Sequence, residues 1–80
     1  MKDKILSLMR EIANEGGVEL SATIGEDTVL LESGLDSLGF AILIARLEED
    51  LGYDPFTMMD EPVYPQTFGE LIGIYQRFKP

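Results

Sequence analysis

The spacing of hydrophobic residues predicts a helix near the N-terminus. Apolar side chains recur there every three or four residues, which places them on one face of a helix. They are Ile5, Leu8, Met9 and Ile12. Asp3 can cap the start of this helix, and Gly16 with Gly17 ends it, because glycine readily adopts the conformation that closes a helix. The first helix is predicted over about residues 3–15.

The second helix has the clearest pattern. It begins at Asp36 or Ser37, both favourable caps, and runs through Leu51 to Gly52. At 100° per residue, one side is apolar and is predicted to face the core: Phe40, Leu43, Ile44, Leu47 and Leu51. The other side carries Leu38, Ile42, Ala45, Arg46 and Glu49.

Two further helices are predicted in the C-terminal part. Residues 56–60 allow one or two turns, which Pro62 and Pro65 close. Thr67 and Glu70 have the spacing of a capping box at the start of the last helix, which frays near Phe78. An apolar stripe follows the box: Phe68, Leu71, Ile72 and Tyr75.

The segment from Gly16 to Asp36 has no sustained periodicity. Connections of this length are uncommon in a compact domain and are usually functional. We expect it to run along the bundle with a short helical turn near residues 27–31, and with Leu30, Leu31 and Leu35 in the core. The predicted fold is all-α: a small four-helix bundle of three main helices and one short helix, with a long loop between helices one and two. Residues 1–80 form one domain in this prediction.

Composition narrows the possible functions. The net charge is −9, and Arg46 is the single base among fourteen acids between residues 11 and 76. Such a surface repels nucleic acid and anionic membranes and attracts basic protein patches, although solubility alone also explains it. The sequence has neither an apolar run of membrane-spanning length nor a signal peptide at its start, and we expect a cytoplasmic monomer.

The absence of cysteine and histidine removes several kinds of chemistry. Disulfides, thiol nucleophiles and thiolate zinc sites are excluded, and so is the commonest general base. The calcium-loop pattern does not occur, and Glu48, Glu49 and Asp50 are expected to form a solvated helix face. No metal site is predicted.

Ser37 has three interpretations. The sequence around it has Gly39 in the position of the second glycine of a hydrolase nucleophile elbow, but Leu35 stands in place of the first glycine. Without histidine, no ordinary base could activate this hydroxyl. The second interpretation is a plain helix cap, which needs no further function.

The third interpretation comes from a resemblance. Residues 31–38 read Leu-Glu-Ser-Gly-Leu-Asp-Ser-Leu, which resembles the attachment motif of acyl and peptidyl carrier proteins. In that family an Asp-Ser-Leu triplet follows a Gly-Leu or Gly-Gly pair and opens helix two. The long first loop, the acidic end of helix two at residues 47–52 and the start of the last helix at 67–71 match the family as well. The resemblance covers nearly the whole chain.

The resemblance implies a carrier without catalytic activity. Ser37 would receive 4′-phosphopantetheine from coenzyme A, with Asp36 and Leu38 as recognition neighbours, and the thiol of that arm would carry acyl or aminoacyl groups as thioesters. The implied partners are a phosphopantetheinyl transferase, an acyl- or aminoacyl-activating ligase or synthetase, and downstream synthases or transferases. The implied pathways are fatty-acid, polyketide or nonribosomal-peptide biosynthesis. The alternative is an unmodified acidic helical module that only binds partners.

The exposed face of helix two departs from one branch of the family. Bacterial fatty-acid carriers typically have acids along this face, whereas here Gly39, Ile42 and Ala45 occupy its early part. This pattern is more similar to free-standing carriers of peptide-synthetase or specialised acyl pathways. A docking surface with an apolar centre and a charged rim is predicted, although Ile42 could instead be an isolated surface residue or belong to one side of a wider core. Its residues are Leu38, Ile42, Ala45, Arg46, Glu48 and Glu49.

Overall fold

The computed structural model describes residues 1–61 and 64–79, in which four α-helices are joined by loops. A short 3₁₀ helix, Leu30–Glu32, lies in the long loop between the first two helices. The helices are α1 (Lys2–Glu15), α2 (Ser37–Leu51), α3 (Pro55–Met58) and α4 (Phe68–Arg77). The all-α prediction of three main helices, one short helix and a long first loop is confirmed. Within the described ranges, no helix is long and apolar enough to cross a membrane.

Local hydrogen bonds determine where the helices begin and end. The Asp36 side chain caps α2 by accepting a bond from the backbone N–H of Gly39 at 2.8 Å. Gly52 ends α2 with a φ of 81°, a conformation that glycine adopts without strain. The capping box of Thr67 and Glu70 is present at the start of α4, as predicted. The prediction that Asp3 caps α1 is wrong, because Asp3 lies inside the first turn of that helix.

The core is formed by α1, α2, α4 and the long loop. The stripes predicted for α1 and α4 are confirmed, since all eight of their residues are buried. On α2, Leu43 and Leu47 are fully buried, whereas Phe40, Ile44 and Leu51 are only partly buried against the core. The long loop adds two buried leucines, Leu30 and Leu35.

Two details of the connecting segments differ from the predictions. Leu31 is 57% exposed and does not enter the core, because successive residues of the tight 3₁₀ turn point in different directions and Leu30 takes the inner position. The short helix is Pro55–Met58 and not residues 56–60. Asp54 caps it, and Pro55 fits the first helical position because its missing N–H is not needed there. Pro62 lies outside the described residues.

The buried side of α2 is wider than its apolar stripe indicates. Gly39 is buried, and Ile42 packs partly against the core, although both were assigned to the outward face. At 100° per residue, the partly and fully buried residues of α2 span roughly 200° of its circumference. The reason is that α1 packs against one flank of the α2 stripe, which places Ile42 and Arg46 beside α1.

Backbone hydrogen bonds attach the long loop to the start of α4. The N–H of Leu30 donates to the carbonyl of Gln66 at 2.8 Å, and the N–H of Phe68 donates to the carbonyl of Thr28 at 2.9 Å. Gly69 donates to the carbonyl of Glu26, also at 2.9 Å. The loop is therefore held by ladder-like bonds in addition to its buried leucines.

Tyr75 provides a stability prediction because its buried hydroxyl lacks a partner within the described part of the chain. Its ring packs edge-on against Tyr53 and Phe56. We expect Tyr75→Phe to leave the free energy of unfolding unchanged or raise it by up to about 1 kcal/mol, because an unsatisfied buried hydroxyl is costly.

Burial also raises the pKa of the Tyr75 hydroxyl, and the nearby Asp54 acts in the same direction. The folded chain therefore holds this proton to a higher pH than the unfolded chain, so wild-type stability falls as the pH rises above about 10. Urea denaturation at pH 7 and at alkaline pH should show that Tyr75→Phe loses less stability than wild type between the two pH values. An equally steep loss in both proteins would contradict this account.

Candidate functional site

Ser37 is exposed at the first residue of α2. The preceding residue, Asp36, makes the capping hydrogen bond of the helix, so the Ser37 side chain is not required for that task. Behind Ser37, α2 is anchored by the fully buried Leu43 and Leu47. The arrangement presents a primary hydroxyl outward from a rigid element.

The chain approaches Ser37 through a conformation that only glycine allows. Gly34 has a φ of 118°, and a Cβ atom there would lie 2.5 Å from the carbonyl oxygen of Glu19 and 2.9 Å from the Cα of Leu20. Ser33 is buried, and its hydroxyl donates to the carbonyl of Leu30. The two residues fix the path of the loop into α2.

One surface depression contains Ser37 itself. This depression, the Ser37 trough, has a volume of about 460 Å³ and is mostly apolar. Its lining includes Val29, Leu31, Phe40 and Tyr64. The Ser37 hydroxyl therefore lies beside a shallow apolar surface.

A second depression lies between α1 and α2. This α1–α2 groove has a volume of about 400 Å³ and is lined in part by Ile12, Val18 and Ile42. Asp36 and Leu38 also line it. Because these two residues flank Ser37 in the chain, the candidate attachment residue stands between the trough and the groove.

The predicted docking residues do not share one outward face. Ala45, Glu48 and Glu49 are exposed, and Leu38 is 69% exposed. Ile42, by contrast, is partly buried in the α1–α2 groove. The prediction that Ile42 projects opposite the core is therefore wrong, and its alternative, one side of a wider core, is correct.

Arg46 also faces α1. It donates two hydrogen bonds to the carboxylate of Glu15, from Nη2 at 2.6 Å and from Nη1 at 2.9 Å. These bonds lower the pKa of the Glu15 carboxyl and raise that of Arg46. The guanidinium is thus paired within the chain, and Arg46 also lines the groove.

The surroundings of Ser37 lack the side chains that most often act as general bases or metal ligands. Histidine and cysteine do not occur in the sequence. In residues 1–61 and 64–79, no cluster of three or more acidic, histidine or cysteine side chains could hold a metal ion. What the arrangement offers is an exposed hydroxyl that another protein can reach.

The sequence interpretation overlooked two residues that line the depressions beside Ser37. Val18 is 48% exposed and lines the groove, and Tyr64 is 79% exposed and lines the trough. Val18 carries a weak signal, since it is an apolar residue directly after the two glycines that end α1. Tyr64 carries none, because only the folded chain brings it near α2.

Comparison with known proteins identifies the family. The model of the family described as "Phosphopantetheine attachment site" matches residues 3–59, which include all of α1 but its first residue, the long loop, α2 and α3. Neither the curated proteins nor the solved structures gave a significant match. Domains of this family are carriers without catalytic activity that bear a covalently attached 4′-phosphopantetheine group and interact with phosphopantetheinyl transferases and acyl-handling enzymes. The chain belongs to this phosphopantetheine-binding family.

Proposed function

We propose that Ser37 is the residue to which 4′-phosphopantetheine is attached. The observation that carries the proposal is the exposed hydroxyl at the first turn of α2, in the Asp-Ser-Leu context and inside the matched residues 3–59. Asp36 supports it by capping the helix, because Ser37 can then be modified without loss of the cap.

The start of α2 suits the group chemically. The first backbone N–H groups of a helix lack intrahelical partners, and together with the helix dipole they favour an anion such as a phosphodiester. Ser37 opens onto the trough and adjoins the groove, so the surroundings leave room for an attached arm. When bound, the group supplies a terminal thiol for thioester chemistry. The chain itself presents Ser37 and orients it, and the transferase supplies the catalysis.

We further propose the pathway class. Leu38 and Ala45 are exposed on α2, and its acids, Glu48, Glu49 and Asp50, all lie near its C-terminal end. An apolar face with few acids favours carriers of peptide-synthetase or specialised acyl pathways over those of bacterial fatty-acid synthesis. The partners would be an acyl- or aminoacyl-activating ligase or synthetase and the synthases that follow it. The acidic, cysteine-free composition supports a cytoplasmic location.

The experiment is intact-protein mass spectrometry after incubation with a phosphopantetheinyl transferase and coenzyme A. Wild type should gain the mass of one phosphopantetheinyl group, and Ser37→Ala should gain none. Ser7→Ala, which removes another exposed serine, is the matched control and should be modified fully.

Ser37→Ala should remain folded, with a stability change within about 0.5 kcal/mol, because Asp36 keeps its capping bond. A folded Ser37→Ala protein that still gains the mass would move the attachment elsewhere. A wild-type protein that gains no mass would favour the unmodified interaction module.

A further inference from the structure

The α1–α2 groove leaves apolar surface open to solvent. Ile12 and Leu35 are buried at its floor, and Ile42 lies half-buried beside them. Val18 and Leu38, which are 48% and 69% exposed, stand at its rim. A rim of exposed aliphatic side chains over an apolar floor is typical of a surface that another molecule covers.

The groove is large enough to take a side chain of a partner. Gly16, Gly34 and Gly39 line it beside the apolar residues. The groove has a volume of about 400 Å³. A site of roughly 150 Å³ already accommodates a benzene-sized group. One leucine or phenylalanine side chain therefore fits with room to spare.

The charge around the groove is negative. Arg46 is the cation that lines it, and its guanidinium is occupied by Glu15. Glu11 and Glu49 also lie close enough to Arg46 to act on it electrostatically. Glu15 and Asp36 also line the groove, so its acids outnumber the base. A partner whose apolar side chain is flanked by lysine or arginine would complement this charge.

The position of the groove identifies the partner. Asp36 and Leu38 line the groove and flank Ser37, so an enzyme that brings its active site to the Ser37 hydroxyl also covers the groove mouth. We infer that the α1–α2 groove seats an apolar side chain, flanked by basic residues, of the phosphopantetheinyl transferase that modifies Ser37. The inference rests on the proposed function for the identity of the attachment residue.

Two valines of the long loop allow a matched test. Val18 lines the groove, whereas Val29, 38% exposed, lines the trough on the other side of Ser37. The apo-protein variants Val18→Ser and Val29→Ser would be loaded by a purified phosphopantetheinyl transferase with coenzyme A. We expect Val18→Ser to lower kcat/KM about tenfold through a higher KM, a typical loss for an interface anchor. Val29→Ser should stay within about twofold of wild type.

A second pair addresses the charge. Glu11 lies near Arg46, whereas Asp60 is an exposed acid near the end of α4. Across a salt series, Glu11→Gln should flatten the salt dependence of kcat/KM more than Asp60→Asn does, because of these two acids only Glu11 lies near the groove-lining Arg46. Equal salt slopes would overturn the basic character assigned to that partner.

Circular dichroism would confirm that the valine variants are folded. If Val18→Ser loses helicity, Leu38→Ser and Leu31→Ser provide a replacement pair, since these leucines are 69% and 57% exposed on opposite sides of Ser37. Only Leu38→Ser should then slow loading.

The outcomes separate the inference from the proposed function. Modification of Ser37→Ala would refute the attachment site. If Ser37→Ala is not modified and Val18→Ser and Val29→Ser have equal kcat/KM values, the attachment site stands and the groove inference alone is overturned. A wild-type dimer in size-exclusion chromatography that Val18→Ser dissociates would assign the groove to a second copy of the chain and also overturn it.

Discussion

Leu47→Ala should lower the free energy of unfolding by about 2–5 kcal/mol, the usual range for removing a leucine side chain from a packed core. Leu47 is fully buried on α2, in the same core cluster as Ile5 of α1 and Tyr75 of α4. Its removal leaves a cavity where helices distant in sequence meet. In a domain of 80 residues, such a loss is a large share of the total stability.

The same substitution elsewhere on α2 provides the control. Leu38 is 69% exposed, so Leu38→Ala should cost only about 0.5 kcal/mol. Urea denaturation followed by circular dichroism would compare the two variants with wild type. A midpoint for Leu47→Ala that matches the midpoint for Leu38→Ala would mean that the helix does not pack through the face described here.

Gly34→Ala should lower the free energy of unfolding by at least about 3 kcal/mol, because backbone strain and steric overlap add there. The φ of 118° is unfavourable for alanine, and the new Cβ would lie 2.5 Å from the carbonyl oxygen of Glu19. The two nearest atoms, the carbonyl oxygen of Glu19 and the Cα of Leu20, belong to the backbone and cannot move aside as a flexible side chain can. The loop would have to shift, and with it the start of α2.

Gly17→Ala provides a reference without steric overlap. Gly17 also has a positive φ, 69°, but a Cβ atom there would meet nothing within 4 Å. This φ lies in the left-handed region, so we expect only the cost of that conformation for alanine, about 1–2 kcal/mol. Equal losses in the two variants, measured by urea denaturation, would contradict the additional cost that we assign to the larger φ of Gly34 and its overlap with Glu19.

Local patterns were sufficient for much of the fold. The apolar stripes of α1 and α4 repeat every three or four residues, and the structure buries them as predicted. Thr67 with Glu70 and the pair Asp36 and Gly52 mark helix ends through short-range hydrogen bonds and backbone conformation. Each of these signals lies within a few consecutive residues, so the sequence alone is enough to predict the helix ends and the buried faces.

Features that depend on neighbouring helices could not be read in this way. The 100° rotation between residues gives relative directions on α2, but not the side on which α1 packs. Ile42 and Arg46 were therefore placed on the outward face, although both lie beside α1. The exposed Ser37 was the strongest candidate for the site, whereas the groove near it depends on Val18, which folding brings close from another segment.

The backbone bonds between the long loop and the start of α4 have a consequence for cooperativity. They join Thr28 to Phe68, forty residues apart, in a chain of eighty. Closing so long a segment costs chain entropy before its contacts compensate, so this closure should form late in folding. Once formed, it couples the two halves of the chain. The amides of Leu30 and Phe68 should exchange with deuterium at matching rates, as one unit. Opening of the first turn of α4 would thus loosen the segment that leads into Ser37.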